Sequence, residues 1–271
     1  MTSNPDYIQY AKPALQPPPT PLVLLHDGGG TTFSYHLLGP LGGRAVYGIH
    51  NPHFYHAEQV WTDGLPEMAW HYAQLVKKTI PKGDVILGGW SLGGCTSLEV
   101  AKVLARDDKL RVVGIIMIDS VYPRVHGEGV PKVAERMMNW SASTRQETKD
   151  AVLRCFDEAY RMVREWKLPV WDEAQARREE VTADGKPVTV VGLQPPPVWL
   201  LRARETVPVR YREDLIVEVI DIPGHHFNIF DDAHLDSMSA ILRRVCQEVD
   251  SRAAATRHSQ PGSPVQAEPT W

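Results

Sequence analysis

The hydrophobic residues of this chain form short continuous runs that alternate with longer stretches of helical spacing. The runs predict strands at Leu22–Leu25, Arg44–Ile49, Asp84–Leu87, Val112–Ile118, Val198–Leu201 and Leu215–Ile220. Runs without polar interruptions are typical of strands that are buried on both faces. Strands separated by helices form parallel sheets through right-handed crossovers. We therefore predict an α/β fold whose ligand site lies beyond the carboxyl ends of the strands.

Three stretches carry apolar residues at the spacing of an amphipathic helix. They cover residues 66–80, 95–104 and 232–249. Pro66 suits the first turn of the first helix, and Pro81 follows its end.

The two ends of the chain differ from this pattern in composition. Residues 1–21 predict a proline-rich arm, in which Tyr7–Tyr10 could add an edge strand. Residues 250–271 are rich in Ala, Ser, Pro and Gln and predict a disordered tail. The predicted domain therefore spans residues 22–249.

Residues 127–187 interrupt the alternation, because aromatic and methionine side chains are interleaved there with many charges. The pattern predicts two or three amphipathic helices with no strand among them. A segment of this length exceeds a simple crossover, and we interpret it as a helical lid inserted over the active-site end of the sheet. The alternative is one ordinary helix with a long, partly ordered loop.

The motif Gly89-Trp90-Ser91-Leu92-Gly93 lies between the third predicted strand and the helix that follows it. In this setting G-x-S-x-G forms a nucleophile elbow, which presents its serine above the sheet. The turn is too tight for neighbouring Cβ atoms, which explains the glycines two residues either side of Ser91. The amide end of the following helix favours an anion at the reacting centre. We predict that Ser91 is a nucleophile; the alternative is a glycine-rich turn with a bystander serine.

A serine hydroxyl needs a neighbouring base, and the base needs a third group to orient it. Among eleven histidines, only the pair His225-His226 follows the last predicted strand and precedes the last helix. The acid has two candidates, Asp119 after the fourth predicted strand and Glu205 after the fifth. Glu205 lies in a charged run, where it could instead form a surface ion pair. We favour Asp119, because an uninterrupted apolar strand delivers its carboxylate to the active-site edge.

Three consecutive glycines, Gly28-Gly29-Gly30, follow the first predicted strand. Glycines at a strand end allow the backbone to approach another group closely. Beside a nucleophile elbow, such a loop supplies backbone amides for the second half of an oxyanion hole. A flexible turn is the alternative interpretation.

Composition narrows the class of protein further. The 271 residues, 43% of them hydrophobic, suffice for one sizeable α/β core. The net charge of −4 offers no basic field for nucleic acid, and no apolar run approaches the length of a membrane span. The N-terminus shows no secretory signal, and Cys95, Cys155 and Cys246 lack metal-ligand or disulfide spacing. We expect a cytoplasmic protein with no metal or redox cofactor and with three buried cysteines.

Four motifs resemble those of the thioesterase family that releases products from polyketide, fatty-acid and non-ribosomal peptide synthases. They are the elbow Gly89–Gly94, the acid motif Ile118–Pro123, the Gly-x-His-Phe motif Gly224–Phe227 and the glycine loop Leu25–Thr32. The resemblance covers about residues 20–250 and implies an α/β-hydrolase fold. It makes His226 the base, with His225 the variable position, and it makes the backbone N–H groups of Gly28 and Leu92 the oxyanion donors. One departure from the family is that no carrier or ketosynthase segment accompanies the motifs, so we expect a free-standing enzyme that acts in trans; the alternative is one domain cut from a synthase.

The resemblance implies a two-step acyl transfer. Ser91 takes an acyl chain from the phosphopantetheine arm of an acyl carrier protein or carrier domain, and hydrolysis or cyclisation then releases it. Because such carriers are acidic, a basic docking patch is expected, and its candidates, which could also be simple solvated charges, are Arg202, Arg204, Arg210 and Arg212. Two other functions stay open: a general carboxylesterase acting on small oxygen esters, and a non-catalytic hydrolase fold that only binds acyl ligands or partners.

Overall fold

Strands and helices alternate along the chain in the computed structural model of the protein. The structure describes residues 3–120, 140, 143–169, 171, 178–181, 187–190, 194–204 and 215–259. The strands are β1 (Asp6–Gln9), β2 (Leu22–Leu25), β3 (Val46–Ile49), β4 (Gly83–Trp90), β5 (Leu110–Ile118), β6 (Arg178–Val181), β7 (Pro187–Val190), β8 (Val198–Ala203) and β9 (Ile216–Ile222). The helices are α1 (Leu65–Thr79), α2 (Leu92–Leu104), α3 (Gln146–Glu165) and α4 (Asp232–Ser259), with a short 3-10 helix at Phe33–Leu37.

Seven strands form one mostly parallel sheet in the order β1-β3-β2-β4-β5-β8-β9. Only β1 runs antiparallel, and it pairs with β3 as the edge strand that residues 7–10 suggested. The chain moves from β2 to β3 on one side and then to β4 on the other. The connections therefore change direction between β2 and β4, which is where ligands bind in open α/β sheets.

The sheet lies between two apolar layers. On one face, Val23 and Leu25 of β2 pack into a cluster with side chains of α1 and α2. On the other face, Leu22 and Leu24 pack into a cluster with α4 and the 3-10 helix. All four side chains are fully buried. Burial on both faces explains why this strand is a continuous apolar run rather than an alternating one.

Strand β4 extends three residues beyond the predicted end at Leu87 and reaches Trp90. The two glycines in this extension fit a crowded part of the sheet. A Cβ atom on Gly88 would lie 2.7 Å from the carbonyl oxygen of Ile116 in β5. Glycine at this position is therefore a feature of strand packing and does not mark the end of the strand.

Helix α4 also continues past Val249, where the sequence pattern ends it, and it runs to Ser259. The predicted tail boundary at residue 250 is therefore wrong for its first ten residues. Ala253 is buried in the core, and Asp250 accepts a 3.0 Å hydrogen bond from the buried guanidinium of Arg44. The composition of this segment is typical of disorder, but it includes three consecutive alanines, which favour a helix when one face of that helix packs against the core. Residues 260–271 lie outside the described residues.

Where the structure describes the inserted segment, it contains one long helix, α3, and strand β6, which pairs with β7 in a two-stranded antiparallel hairpin. The expectation that no strand lies within residues 127–187 was therefore wrong. The Asp184-Gly185 dipeptide between the two strands is a hairpin signal, which the surrounding charges obscured. Residues 127–139 of the predicted lid lie outside the described residues.

Candidate active site

Ser91 lies between β4 and α2 in a left-handed backbone conformation, with φ 55° and ψ −115°. Such a conformation costs a non-glycine residue about 1–3 kcal/mol and is typical of functional sites. The glycines of the motif have a packing reason: a Cβ on Gly89 would lie 2.6 Å from the carbonyl oxygen of Leu25, and a Cβ on Gly93 would overlap the same oxygen. The elbow is therefore held by close backbone packing against β2.

The imidazole of His226 joins Ser91 to Asp119. Its Nε2 atom lies 3.1 Å from Ser91 Oγ, and its Nδ1 atom lies 2.7 Å from Asp119 Oδ2. When Nδ1 carries the proton, it donates to the carboxylate, and Nε2 is left to accept the serine hydroxyl. Three residues that are far apart in the sequence thus form one continuous chain of polar contacts.

The turn after β9 determines which histidine of the pair faces the serine. Gly224 has φ 83°, and a Cβ there would overlap the side-chain oxygen of Asn228. That oxygen accepts a 2.7 Å hydrogen bond from the backbone N–H of His225. The side chain of His225 stays in the turn, where its Nδ1 atom accepts the backbone N–H of Phe227 at 3.2 Å. His226 is therefore the histidine that contacts Ser91.

Asp119 follows β5 and is almost completely buried. Its backbone N–H donates to the carbonyl oxygen of Leu201 at 2.7 Å, and its Oδ1 atom accepts the backbone N–H of Ala203 at 2.9 Å. Strand β8 thus holds the carboxylate from the side and leaves Oδ2 for His226. The other candidate acid, Glu205, lies outside the described residues.

The glycine loop after β2 lies against the elbow. A Cβ on Gly93, in the first turn of α2, would lie 2.8 Å from the carbonyl oxygen of His26. Gly28 is covered by α3, because a Cβ there would lie 2.8 Å from the ring of Phe156. Leu92 is the first residue of α2. The two predicted oxyanion donors, Gly28 in the glycine loop and Leu92 at the start of α2, therefore lie in adjoining segments at the change of direction in the sheet.

The sequence analysis did not single out two ionisable residues of the glycine loop, His26 and Asp27. Burial raises the pKa of Asp27 to about 6, although backbone N–H groups and the neighbouring His226 oppose this shift. Burial lowers the pKa of His26 to about 4, and its Nε2 atom lies 2.6 Å from the hydroxyl of Tyr72. Both shifts favour the neutral forms of the two side chains, because burial penalises their charged forms. Their position directly between a buried strand and three glycines was the sequence signal that could have identified them.

Aromatic rings surround the imidazole of His226. The ring of Phe227 meets it edge to face at 4.9 Å, and the ring of Trp90 lies 5.4 Å away. The ring of Phe230 packs edge to face against the ring of Trp90, with their centroids 5.3 Å apart. An apolar surround limits the access of water and restricts the orientations of the imidazole.

The predicted basic patch is only partly described. The guanidinium of Arg202 pairs with Asp221 at 2.7 Å, so its charge is largely offset. Arg204 is exposed, and the other two arginines lie outside the described residues.

All three cysteines are free and buried, as predicted. Over the ranges described, no group of three or more His, Cys, Asp or Glu side chains could hold a metal ion. No helix in the described part of the chain is both long and apolar enough to cross a membrane.

Comparisons with known proteins agree with the fold. Residues 20–183 match the family described as the thioesterase domain. The chain is 37% identical to a probable thioesterase, gloN, of Glarea lozoyensis over 87% of this chain and 92% of that protein. It is 32% identical to the thioesterase frbE of a Dothideomycetidae species, over 85% of this chain and 90% of that protein.

Among solved structures, the chain is similar to the NocB thioesterase domain in covalent complex with a fluorophosphonate nocardicin G analog. The TM-score is 0.64 at 25% sequence identity, over 84% of this chain and 94% of that one. The predicted α/β-hydrolase fold is confirmed by this likeness and by the mostly parallel sheet. The chain therefore belongs to the thioesterase family, and it is a hydrolase of the α/β-hydrolase fold.

Proposed function

We propose that this protein is a serine thioesterase that releases an acyl chain from the phosphopantetheine arm of a carrier protein or carrier domain. The observation that carries the proposal is the chain of contacts from Ser91 through His226 to Asp119, at 3.1 and 2.7 Å. A hydroxyl, an imidazole and a carboxylate in this order activate a serine for acyl transfer. The names of the fungal relatives support a thioester as the substrate.

In the first half-reaction, Ser91 Oγ attacks the thioester carbonyl while Nε2 of His226 removes the hydroxyl proton. The C–S bond then breaks, and the same proton passes from Nε2 to the departing thiolate. Asp119 stabilises the imidazolium between these steps and keeps Nδ1 directed towards itself. The acyl chain is now an ester of Ser91, and the free pantetheine thiol leaves.

In the second half-reaction, Nε2 of His226 removes a proton from water, or from a hydroxyl or amine within the acyl chain. The resulting nucleophile attacks the ester, and Ser91 Oγ departs with the proton that Nε2 returns. Attack by water gives an acid, and attack from within the chain gives a lactone or an amide.

Both tetrahedral intermediates carry an oxyanion, for which the backbone N–H groups of Gly28 and Leu92 are the proposed donors. The removal of one such donor costs other serine hydrolases about 10²–10³ in rate. The start of α2 beside Ser91 adds its dipole to the same charge. The covalent fluorophosphonate complex of the NocB thioesterase domain supports a covalent mechanism.

The proposed partner is an acidic carrier that presents the acyl chain, and Arg204 is an exposed residue that could contact it. A cytoplasmic location stays a prediction from the sequence.

The first test is intact-protein mass spectrometry after mixing with a panel of acyl-pantetheine thioesters. We expect a mass gain of one acyl group on the wild type and none on Ser91→Ala, whose turnover falls by about 10⁴-fold or more. Ser97→Ala is the matched control, because Ser97 is a fully buried serine of the helix that follows Ser91, and its hydroxyl donates to the carbonyl oxygen of Gly93. Turnover by Ser91→Ala at the wild-type rate would refute the proposal.

Paired thioesters and oxygen esters of the same acyl chains separate a thioesterase from a carboxylesterase. We expect the thioester to react faster throughout the panel. Preferential cleavage of small oxygen esters would favour the carboxylesterase instead. Acyl binding without an adduct or turnover, and without labelling by a fluorophosphonate, would favour a non-catalytic binding protein.

A further inference from the structure

The hydroxyl of Tyr35 lies between the ends of β2 and β4. It donates to the carbonyl oxygen of Leu25 at 2.7 Å and accepts the backbone N–H of Trp90 at 2.8 Å. Leu25 is the last residue of β2, and Trp90 is the last residue of β4. One hydroxyl therefore joins the strand that leads into the glycine loop to the strand that leads into the elbow.

The position of this hydroxyl in the hydrogen-bond ladder is specific. The two strands are parallel, with Leu22 opposite Ile86, and the backbone N–H of Ile86 donates to the carbonyl oxygen of Pro21. Ladder bonds between parallel strands recur every two residues. Two such repeats, or four residues, further along each strand, the ladder would pair the N–H of Trp90 with the carbonyl oxygen of Leu25. The Tyr35 hydroxyl is thus inserted into the last ladder bond before the two loops diverge.

The carbonyl oxygen of Leu25 is also the atom that the elbow glycines approach. A Cβ on Gly89 would lie 2.6 Å from it, and a Cβ on Gly93 would overlap it. The hydroxyl of Tyr35 therefore orients a carbonyl that contacts both glycines flanking Ser91.

The phenol ring is itself held firmly. Tyr35 is 1% exposed, and its ring meets Phe230 edge to face at 5.8 Å. Burial raises the pKa of Tyr35 well above its usual value, so the hydroxyl keeps its proton and can donate and accept at once. A group that stays protonated acts through position and not through proton transfer.

We propose that Tyr35 is a positioning residue for catalysis, whose hydroxyl sets the distance between the glycine loop, which carries the Gly28 backbone donor, and the elbow, which carries that of Leu92. This inference rests on the proposed serine mechanism. In that mechanism, both donors must meet one oxyanion, and one loop follows each of the two strands that Tyr35 joins. A displacement of about 1 Å between catalytic groups can reduce a rate by about 10²-fold.

The test replaces Tyr35 with phenylalanine, which removes only the hydroxyl. The readout is the second-order rate at which an alkyl fluorophosphonate labels Ser91, since the phosphoryl oxygen also develops negative charge in the oxyanion hole. We expect the labelling rate to fall about 10- to 100-fold, and kcat for an acyl-N-acetylcysteamine thioester to fall similarly while KM changes less than about twofold. A fall in labelling of less than fivefold would overturn the inference.

Trp199→Phe is the control for loss of a buried hydrogen bond. Its indole is fully buried and donates to Glu248 of α4 at 3.1 Å, away from the site. We expect a lower melting temperature for this variant but wild-type labelling. Equal losses of labelling in both variants at equal melting temperatures would reduce Tyr35 to a structural role and overturn the inference.

Ser91→Ala, assayed alongside, separates this inference from the proposed function. If Ser91→Ala still turns over thioester, the serine mechanism fails and the inference fails with it. If Ser91→Ala is inactive and Tyr35→Phe is fully active, only the inference fails.

A measurement on the wild type keeps the inference testable even if Tyr35→Phe does not fold. Amide hydrogen exchange followed by NMR reports the N–H of Trp90 directly. We expect protection of Trp90 within about tenfold of residues 86–88 of the same strand, because its N–H is bonded to a buried hydroxyl. Exchange more than about 100-fold faster than that of residues 86–88 would show that the hydrogen bond from Trp90 to the Tyr35 hydroxyl does not persist, and it would overturn the inference. Exchange slower than this limit would support the inference.

Discussion

The elbow and helix α3 both border the proposed active site, but they are held in different ways. Around the elbow, the neighbours of Gly89 and Gly93 are backbone carbonyl atoms of the β2 end, at distances that exclude a Cβ atom. Helix α3 is instead attached through side chains, because its buried apolar face packs against the core and polar side chains add hydrogen bonds. Glu158 accepts the backbone N–H of Trp61 at 2.7 Å, and Arg161 donates to the carbonyl oxygen of the same residue at 2.6 Å.

This difference indicates which part of the site tolerates change. A side-chain rotation cannot relieve a clash with a backbone carbonyl atom. The positions of Gly89 and Gly93 therefore accept glycine, and the turn holds Ser91 in one geometry. The hydrogen bonds that hold α3 are independent of one another, and the loss of any one of them should have a limited effect on the position of the helix. At its far end, the indole N–H of Trp166 donates to the buried carboxylate of Glu99 in α2 at 2.7 Å. A segment fixed in this manner can differ between relatives while the reacting groups stay in place.

The largest expected effect comes from adding one methyl group to the elbow. Gly93→Ala would force a Cβ against the carbonyl oxygens of Leu25 and His26, which are backbone atoms that cannot rotate away. We expect a loss of about 3 kcal/mol in the free energy of unfolding, measured in urea, together with loss of fluorophosphonate labelling.

Gly39→Ala is the control for this substitution. A Cβ there would lie at an ordinary 3.5 Å from Ser239, and Gly39 does not have a left-handed φ. We expect a change within about 0.5 kcal/mol. Equal stabilities for the two variants would contradict the view that the elbow is held by backbone packing.

A second test concerns the two buried ionisable side chains of the glycine loop, Asp27 and His26. The folded pKa of Asp27, about 6, lies above its ordinary value of 3.8, so its contribution to stability is lost as the pH rises through this interval. The folded pKa of His26, about 4, lies below its ordinary 6.5, so its contribution is lost as the pH falls. Between pH 4 and 6 the two effects oppose each other.

Asp27→Asn removes one of these opposing effects. Between pH 6 and 4.5, we expect the stability of the variant to fall by about 1.4 kcal/mol per pH unit more than that of the wild type. Urea unfolding at a series of pH values measures both slopes, and Asp108→Asn controls for the loss of an exposed carboxylate. Parallel curves for Asp27→Asn and the wild type would contradict a folded pKa of Asp27 above its ordinary value.

The smallest effect is expected at α3. Glu158→Ala leaves the N–H of Trp61 without its carboxylate partner, which we expect to cost about 2 kcal/mol in the free energy of unfolding. Labelling of Ser91 should stay within about twofold of the wild type, because the elbow does not depend on this bond. Glu147→Ala, an exposed position on the same helix, is the control. A loss of labelling as large as that of Gly93→Ala would show that α3 positions the reacting groups.

Local sequence signals predicted much of the fold and the centre of the site. The strands of the central sheet, the elbow around Ser91 and the histidine pair after the last strand are marked by continuous apolar runs and by glycines at fixed spacing. Two features were obscured by composition. The alanines of α4 lie in a segment that resembles a disordered tail, and the β6–β7 hairpin lies among charges. For α4, the deciding contribution comes from packing against residues that are distant in the sequence, whereas the hairpin forms between two strands that are close in the sequence.

By itself, the sequence determined the α/β class, the order of the strands along the chain and the position of the elbow around Ser91, because these depend on periodicity and on local backbone freedom. Only the tertiary structure decided that His226 meets Asp119, which is 107 positions away, and Ser91, which is 135 positions away. It alone brought the hydroxyl of Tyr35 into the last ladder bond between β2 and β4. Hydrogen bonds of this kind depend on which strands are neighbours in the sheet, and chain folding sets that adjacency over distances that no local pattern encodes.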